Sequence, residues 1–325
     1  MCTAISFTTD KHFFGRNLDL NYNYPQTGIF VPRNYKITFK KEDEISNHFA
    51  LLGVGIVVSS YPMFFDCINE YGLTFAGLNF PTFAKFNKEI MGKINLAPYE
   101  LPLYLLSKYK TIEEVKKALE NISILDEPFS KDLNVATLHF IMSDKNKSIV
   151  IESREDGLKV FDNPFNVLTN NPIFEYHAFN MNNYLNLTNE EPKSRFSKDL
   201  DLKPYGKGFG QIGLPGDSSP QSRFVKATYL LHNVTLKEKD DIYNISQGFH
   251  ILNNVSTLIG ECNSDLGTFE YTIYTDIYNT TDFKLYVRLY ENNCLQEIDG
   301  NKFKMDGKDL ISIEFKKEEN IIGLN

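Results

Sequence analysis

The chain opens Met1-Cys-Thr-Ala-Ile-Ser-Phe7, and the apolar runs Thr3–Phe7 and His12–Arg16 flank a polar break at Thr8-Thr-Asp-Lys11. Two β-prone runs about a short turn predict a hairpin. Its first strand begins beside Cys2. If Met1 is removed, Cys2 holds a thiol and a free α-amine on one carbon, which makes it a nucleophile carrying its own base. If Met1 stays, Cys2 is an ordinary residue near a chain end. Arg16 and Asp19 follow on the strand that the hairpin lays beside Cys2. A nearby cation lowers a thiol pKa, and a carboxylate orients an ammonium, so both are candidates to tune Cys2. By residue type alone they read equally well as a surface ion pair worth ~0–1 kcal/mol.

The totals narrow the function classes. With 325 residues, 42% of them hydrophobic and 14% aromatic, the chain can fill a substantial core. The net charge of −8 and the absence of a long basic run argue against nucleic-acid binding. An acidic surface has no general attraction for anionic lipids, so an anionic substrate would have to be held by local arginines. The first ten residues lack a basic leader and an apolar stretch of signal length. The longest apolar run, 49–58, is half the ~20 residues of a membrane helix. The expectation is a soluble, cytoplasmic protein with no stable membrane association.

Cys2, Cys67, Cys262 and Cys294 form no C-x-x-C pair, and the histidines at 12, 48, 139, 177, 232 and 250 show no ligand-like spacing. No metal site and no cofactor are expected. Cys67, Cys262 and Cys294 read as small buried hydrophobes.

Further strands are expected at 28–31, 35–39 and 49–58, the last covered on both faces. A helix is expected over 97–109. Thr111-Ile-Glu-Glu114 has the form of a capping box opening another. Strands at 136–143, 148–153 and 158–162 follow, then helices over 220–234 and 241–258, the second with Ile242, Ile245, Phe249, Ile251 and Leu252 as its apolar stripe. Strands return at 269–277 and 283–289. Blocks of strands, helices and strands again favour an α+β layered fold. No linker interrupts residues 2–325, which are expected to form a single domain once Met1 is removed.

Six short motifs recur in order: the Met-Cys-Thr-Ala start, Phe14-Gly-Arg-Asn-Leu-Asp19, Val31-Pro-Arg-Asn-Tyr35, Ala76-Gly-Leu-Asn-Phe-Pro81, Leu168-Thr-Asn-Asn-Pro172, and Gly213-Leu-Pro-Gly-Asp217 with Ser222-Arg-Phe224. With them the chain resembles the choloylglycine hydrolase family, which holds bile salt hydrolases and penicillin V acylases and is a branch of the N-terminal-nucleophile hydrolases. The resemblance covers nearly the whole chain and implies an αββα sandwich of two antiparallel sheets between helical layers. It implies that Cys2 is the nucleophile and its freed amine the proton shuttle, with Arg16 and Asp19 beside them. Asn170 would give its side-chain N–H to the oxyanion, the Asn79 backbone N–H would complete the hole, and Arg223 would brace the site from the start of a helix.

By the same resemblance, Leu18, Val58, Phe129, Leu133 and Leu138 line the acyl pocket, and the chain is a homotetramer. Asn79, where the family's penicillin acylases commonly carry tyrosine, leans the substrate towards conjugated bile acids. Two other readings stand beside hydrolysis of glycine- or taurine-conjugated bile acids. One is a penicillin V acylase or other N-acyl amide hydrolase. The other is a non-catalytic binder of amphiphiles, which would have no use for a nucleophile.

Overall fold

The computed structural model describes residues 1–264 and 266–325. Its first strands are β1 (Cys2–Thr8), β2 (His12–Leu20), β3 (Thr27–Val31), β4 (Leu51–Val58), β5 (Tyr61–Asn69) and β6 (Thr74–Asn79). The short β7 (Ile94–Leu96) and β8 (Ile122–Ile124) bracket helices α1 (Leu101–Lys108) and α2 (Ile112–Leu119). Then come β9 (Leu138–Ser143), β10 (Ser148–Arg154), β11 (Gly157–Asp162) and β12 (Val167–Leu168), followed by α3 (Phe174–Asn180), α4 (Pro220–Asn233) and α5 (Asp241–Asn253). The chain closes with β13 (Cys262–Asn263), β14 (Phe269–Asn279), β15 (Lys284–Leu289), β16 (Gln296–Asp299) and β17 (Ile311–Ile313).

Two antiparallel sheets stack face to face. The first runs β12-β1-β2-β14-β15-β16, with β13 added on β14; the second runs β11-β10-β9-β6-β5-β4-β3-β17. Helices α4 and α5 cover the outer face of the first sheet, and α1 packs on the outer face of the second. One apolar core lies between the sheets and under α4 and α5, and another lies under α1 and α2. This is the αββα sandwich. Among the described residues, no helix is long and apolar enough to cross a membrane.

The opening hairpin forms as its alternation demands, and Phe7 stacks on Phe13 across its closed end at 5.1 Å. Its register sets Cys2 opposite Leu18 and Ala4 opposite Arg16. Because strand side chains alternate between faces, Arg16 and Leu18 point between the sheets. Asn17 and Asp19 point towards the helices. Arg16 accordingly reaches carbonyls of the second sheet, whereas Asn17 donates to the Leu252 carbonyl of α5.

Several expectations need correction. Residues 35–39 make only an isolated bridge, Ile37 to Ile45, because the Tyr35 N–H turns back to the Pro32 carbonyl. Strands β5 and β6 were not expected. Helix α5 ends at Asn253 rather than 258, its last carbonyls taken by the Asn254 N–H, and Ile242 is exposed, so the buried stripe starts at Ile245. Cys262 and Cys294 are partly exposed; Cys67 alone of the three is buried. The capping box at Thr111 is complete, with the Glu114 N–H donating to the Thr111 hydroxyl and the Glu114 carboxylate accepting from the Thr111 N–H.

Candidate active site

Cys2 lies at the end of β1, buried to 2% exposure. Three neighbouring elements converge on it. β12 pairs with β1 at Ala4↔Leu168, so carrying the register on by two residues sets Asn170 opposite Cys2. The Cys2 N–H donates to Asn170 Oδ1 at 2.6 Å. Arg223, in the first turn of α4, donates through Nη2 to the same Oδ1 at 2.8 Å and through Nη1 to the Cys2 carbonyl and to Thr3 Oγ1. Arginine only donates, so it fixes which end of the Asn170 amide is oxygen. Asn170 Nδ2 therefore faces the other way and donates to the Asn79 carbonyl at 2.8 Å.

The Asn79 backbone is available for a reason of ladder geometry. The Phe80 N–H donates to the Thr137 carbonyl, so 80 and 137 are a hydrogen-bonded pair. Alternate residues in such a ladder turn their N–H and C=O away from the partner strand. Asn79 is one of these, and its pairing with β5 has already ended at Ala76. Both its backbone N–H and its carbonyl point to the side where Asn170 sits.

Arg16 is wholly buried. Its Nη1 donates to the Gly77 carbonyl at 2.8 Å and the Phe65 carbonyl at 3.1 Å, and lies 3.7 Å from Asp66 Oδ2. Asp66 in turn accepts from the Tyr274 hydroxyl at 2.5 Å and the Tyr278 hydroxyl at 2.6 Å. Burial disfavours the guanidinium charge, but the Cys2 thiol, Tyr274, Asp66 and Asp276 more than offset it and raise the Arg16 pKa above its ordinary value. Arg16 is thus a fixed positive charge coupled to Cys2. Asp276, also buried, is pushed well up by desolvation and by the Asp66 carboxylate.

Asp19 lies on the helix-facing side. Its carboxylate pKa is raised by burial, against the opposing pull of Arg223, the chain's terminal ammonium, Thr272 and Arg16. Its Oδ2 is buried with no partner among the described residues. The Asp19 backbone carbonyl, rather than the carboxylate, meets the Cys2 thiol at 3.9 Å and the Met1 ammonium at 2.8 Å. The Met1 ammonium also donates to Glu270 at 2.5 Å, so with Met1 attached the terminus is tied down beside Cys2 and the Cys2 nitrogen is an amide.

From Cys2 an apolar cavity of about 290 Å³ opens between the sheets. Leu18, Phe129 and Leu138 line it, together with Leu20, Met63, Phe65, Tyr99 and Val135. Val58 and Leu133 do not. Val58 pairs with Tyr61 at the tip of the β4–β5 hairpin, beyond the register shift at Val54/Gly55. The Leu133 N–H turns back to the Ser130 carbonyl, and Asn134, Val135 and Ala136 line the wall in its place.

Two histidines that sequence reasoning passed over hold the Asn170 loop. His139, stacked on Phe80 at 4.2 Å, contacts the Thr169 carbonyl through Nε2 at 2.8 Å. His177 Nε2 donates to the Asn170 carbonyl at 2.9 Å, and burial lowers its pKa from 6.5 to about 4. Between those two values the unfolded chain binds more protons than the folded one, so stability rises with pH across the window and falls on acidification. The melting temperature is expected to drop from pH 6.5 to 4, and His177→Gln, which keeps an N–H donor, to reduce that drop. Parallel curves for the two proteins would remove His177 from this role.

Comparison with known proteins identifies the family. Residues 2–313 match the family described as linear amide C–N hydrolases, choloylglycine hydrolase family. The chain is 39% identical over 325 residues to the bile salt hydrolase/transferase of Lactiplantibacillus plantarum, covering 100% of both. It is 42% identical over 297 residues to the conjugated bile acid hydrolase of Lactobacillus gasseri, covering 90% of this chain and 93% of that one. Its structure is similar to that of the C2A mutant of the conjugated bile acid hydrolase from Clostridium perfringens, with a TM-score of 0.93, 37% identity and 100% of both chains covered. Over its whole length, from the Cys2 strand onward, the chain belongs to the choloylglycine hydrolase family of linear amide C–N hydrolases.

Proposed function

We propose that the chain hydrolyses the amide bond of glycine- or taurine-conjugated bile acids, with Cys2 as nucleophile. The observation that carries this reading is the apolar cavity that ends at Cys2, beside the Asn170 amide and Arg223, which bond to its strand, and the buried charge of Arg16. A rigid apolar acyl body fits such a cavity, and the amide it carries would then meet the thiol. The relatives named above support the substrate class.

The chemistry starts with removal of Met1, which turns the Cys2 nitrogen into an α-amine held by Asn170 Oδ1 and faced by Asp19. An α-amine has a reference pKa of ~7.7–8.0, so it accepts the thiol proton near neutral pH. Arg16 favours the resulting thiolate. The thiolate attacks the amide carbon, and the carbonyl oxygen becomes an oxyanion. The second N–H of Asn170 Nδ2 and the Asn79 backbone N–H stabilise that oxyanion. The protonated α-amine then passes its proton to the leaving nitrogen, the C–N bond breaks, and the amino acid departs. The acyl group remains as a thioester on Cys2. Water, giving its proton to the same amine, attacks the thioester and releases the bile acid and the thiol.

Incubation of the processed protein with glycocholate, taurocholate and penicillin V tests the assignment, with free amine and 6-aminopenicillanate measured in parallel. Release of glycine or taurine is expected. Release of 6-aminopenicillanate alone would replace the substrate assignment, and no release from any of the three would return the chain to a binder. Phe129 lines the cavity and packs at 5.2 Å from Tyr99 and 5.4 Å from Tyr61, and its ring offers no group to the proton transfers or the oxyanion. Phe129→Ala is therefore expected to raise KM for glycocholate roughly tenfold and leave kcat near its original value, as loss of uniform binding does. An unchanged KM would take Phe129 out of the substrate site.

A further inference from the structure

Asp19 is held from behind by a contact 253 residues away in sequence. Thr272, on β14, stands directly opposite Asp19 on β2, and the ladder shifts register just after it, between Thr272 and Tyr274. Register shifts of this kind re-aim a side chain next to a site. The Thr272 N–H leaves the ladder and donates to the Thr257 carbonyl at 3.0 Å. The Thr257 N–H donates back to Thr272 Oγ1 at 2.9 Å, and Thr272 Oγ1 lies 2.7 Å from Asp19 Oδ1. All three residues are buried.

The direction of this chain of hydrogen bonds is forced. A hydroxyl has one proton to give. Its oxygen accepts from the Thr257 N–H, and because an ionised carboxylate can only accept, the hydroxyl proton goes to Asp19 Oδ1. One carboxylate oxygen is then fixed, and Oδ2 is left buried and unpartnered among the described residues. The segment that follows α5 thereby sets the orientation of a carboxylate on β2.

We infer that Thr272, clamped by the Thr257 backbone, is a positioning residue that keeps the Asp19 carboxylate ionised and turned so that Oδ2 meets the freed Cys2 amine. This rests on the role given to Asp19 above. The charged groups acting on the Asp19 carboxylate are Arg223 from α4, the Met1 ammonium ahead of β1 and Arg16 on its own strand, with Glu270 of β14 beyond the terminus; the Cys2 thiol meets only the Asp19 backbone carbonyl. None of them contacts Oδ1, so Thr272 alone holds that oxygen among the described residues. A polar cavity of about 290 Å³ lies beside Thr272 and is also lined by Thr257, Thr275 and Arg288. Water entering from it can satisfy the Thr257 N–H if the hydroxyl is removed, so Thr272→Val is expected to fold.

The test uses the processed full chain with glycocholate, comparing wild type, Thr272→Val, Thr272→Ser, Thr272→Cys and Asp19→Asn, with melting temperatures alongside. Loss of a hydrogen bond to a charged group predicts a roughly 10- to 100-fold lower kcat for the valine variant, with KM near wild type. A donated hydrogen bond favours the carboxylate, so its loss raises the Asp19 pKa and moves the acid limb of kcat/KM to higher pH. The serine variant is expected to restore both. If Thr272→Val does not fold, the cysteine variant, with only a weak S–H donor, is expected to show the same loss beside serine. A wild-type kcat and acid limb in the valine variant, or no difference between cysteine and serine, would overturn the inference if Asp19→Asn is inactive. A fully active Asp19→Asn would overturn the role of Asp19 itself.

Discussion

Replacing Asn170 with alanine is expected to lower kcat by about 100- to 1,000-fold with little change in KM. The reason lies in the two ends of its amide. Oδ1 is structural, taking hydrogen bonds from the Cys2 N–H and from Arg223. Nδ2 spends one N–H on the Asn79 carbonyl, and its second N–H is the one proposed to meet the oxyanion. That bond strengthens only as negative charge develops, so its loss falls on the transition state and spares the bound substrate. Alanine also leaves Arg223 Nη2 without its acceptor, which mixes a positioning defect into the result. Asn170→Asp keeps the acceptor for Arg223 and removes the donor, while setting an oxygen against the Asn79 carbonyl and a negative charge beside the oxyanion, both of which add to the loss of turnover. The aspartate variant is expected to stay folded and to lose turnover to at least a similar extent. Full kcat with a raised KM in either variant would make Asn170 a substrate-binding residue and leave the oxyanion without its side-chain donor.

How much of this was legible in the sequence depended on distance along the chain. The β1–β2 hairpin could be read because its alternation and turn are local, and it alone brings Arg16 and Asp19 beside Cys2. Asn170, Asn79 and Arg223 were found through their motifs; no spacing rule predicts that β12 pairs with β1 and sets Asn170 opposite Cys2. Strands β5 and β6 went unseen for a local reason. Ser59 and Ser60 form the two-residue β4–β5 turn with φ of 51° and 66°, the left-handed geometry that Asn-Gly usually announces. With serine at both positions and Pro62 following, the turn signal is hidden. Val58 lies off the cavity, at the hairpin tip opposite Tyr61, and a valine in an apolar run looks the same in either place. Thr272, His177 and Asp66 act only through partners brought by folding, so nothing in their own neighbourhoods marks them.

The central claim is that Cys2 works with its own amine as base. With Met1 attached, the Cys2 nitrogen is an amide that donates to Asn170 Oδ1, and the Met1 ammonium is tied to Glu270 and the Asp19 carbonyl. An amide nitrogen has no useful basicity, so with Met1 attached Cys2 lacks the base that the mechanism assigns to it. Cys2 is small enough for an aminopeptidase to clear Met1 ahead of it. The direct measurement compares the processed protein with a form that bears a non-cleavable residue before Cys2. Each N-terminus is verified by mass spectrometry, and glycine release from glycocholate is followed for both. The processed form is expected to turn over and the blocked form to fall to background. Equal rates from the two would mean that Cys2 does not use its own amine, and the N-terminal-nucleophile mechanism would fail.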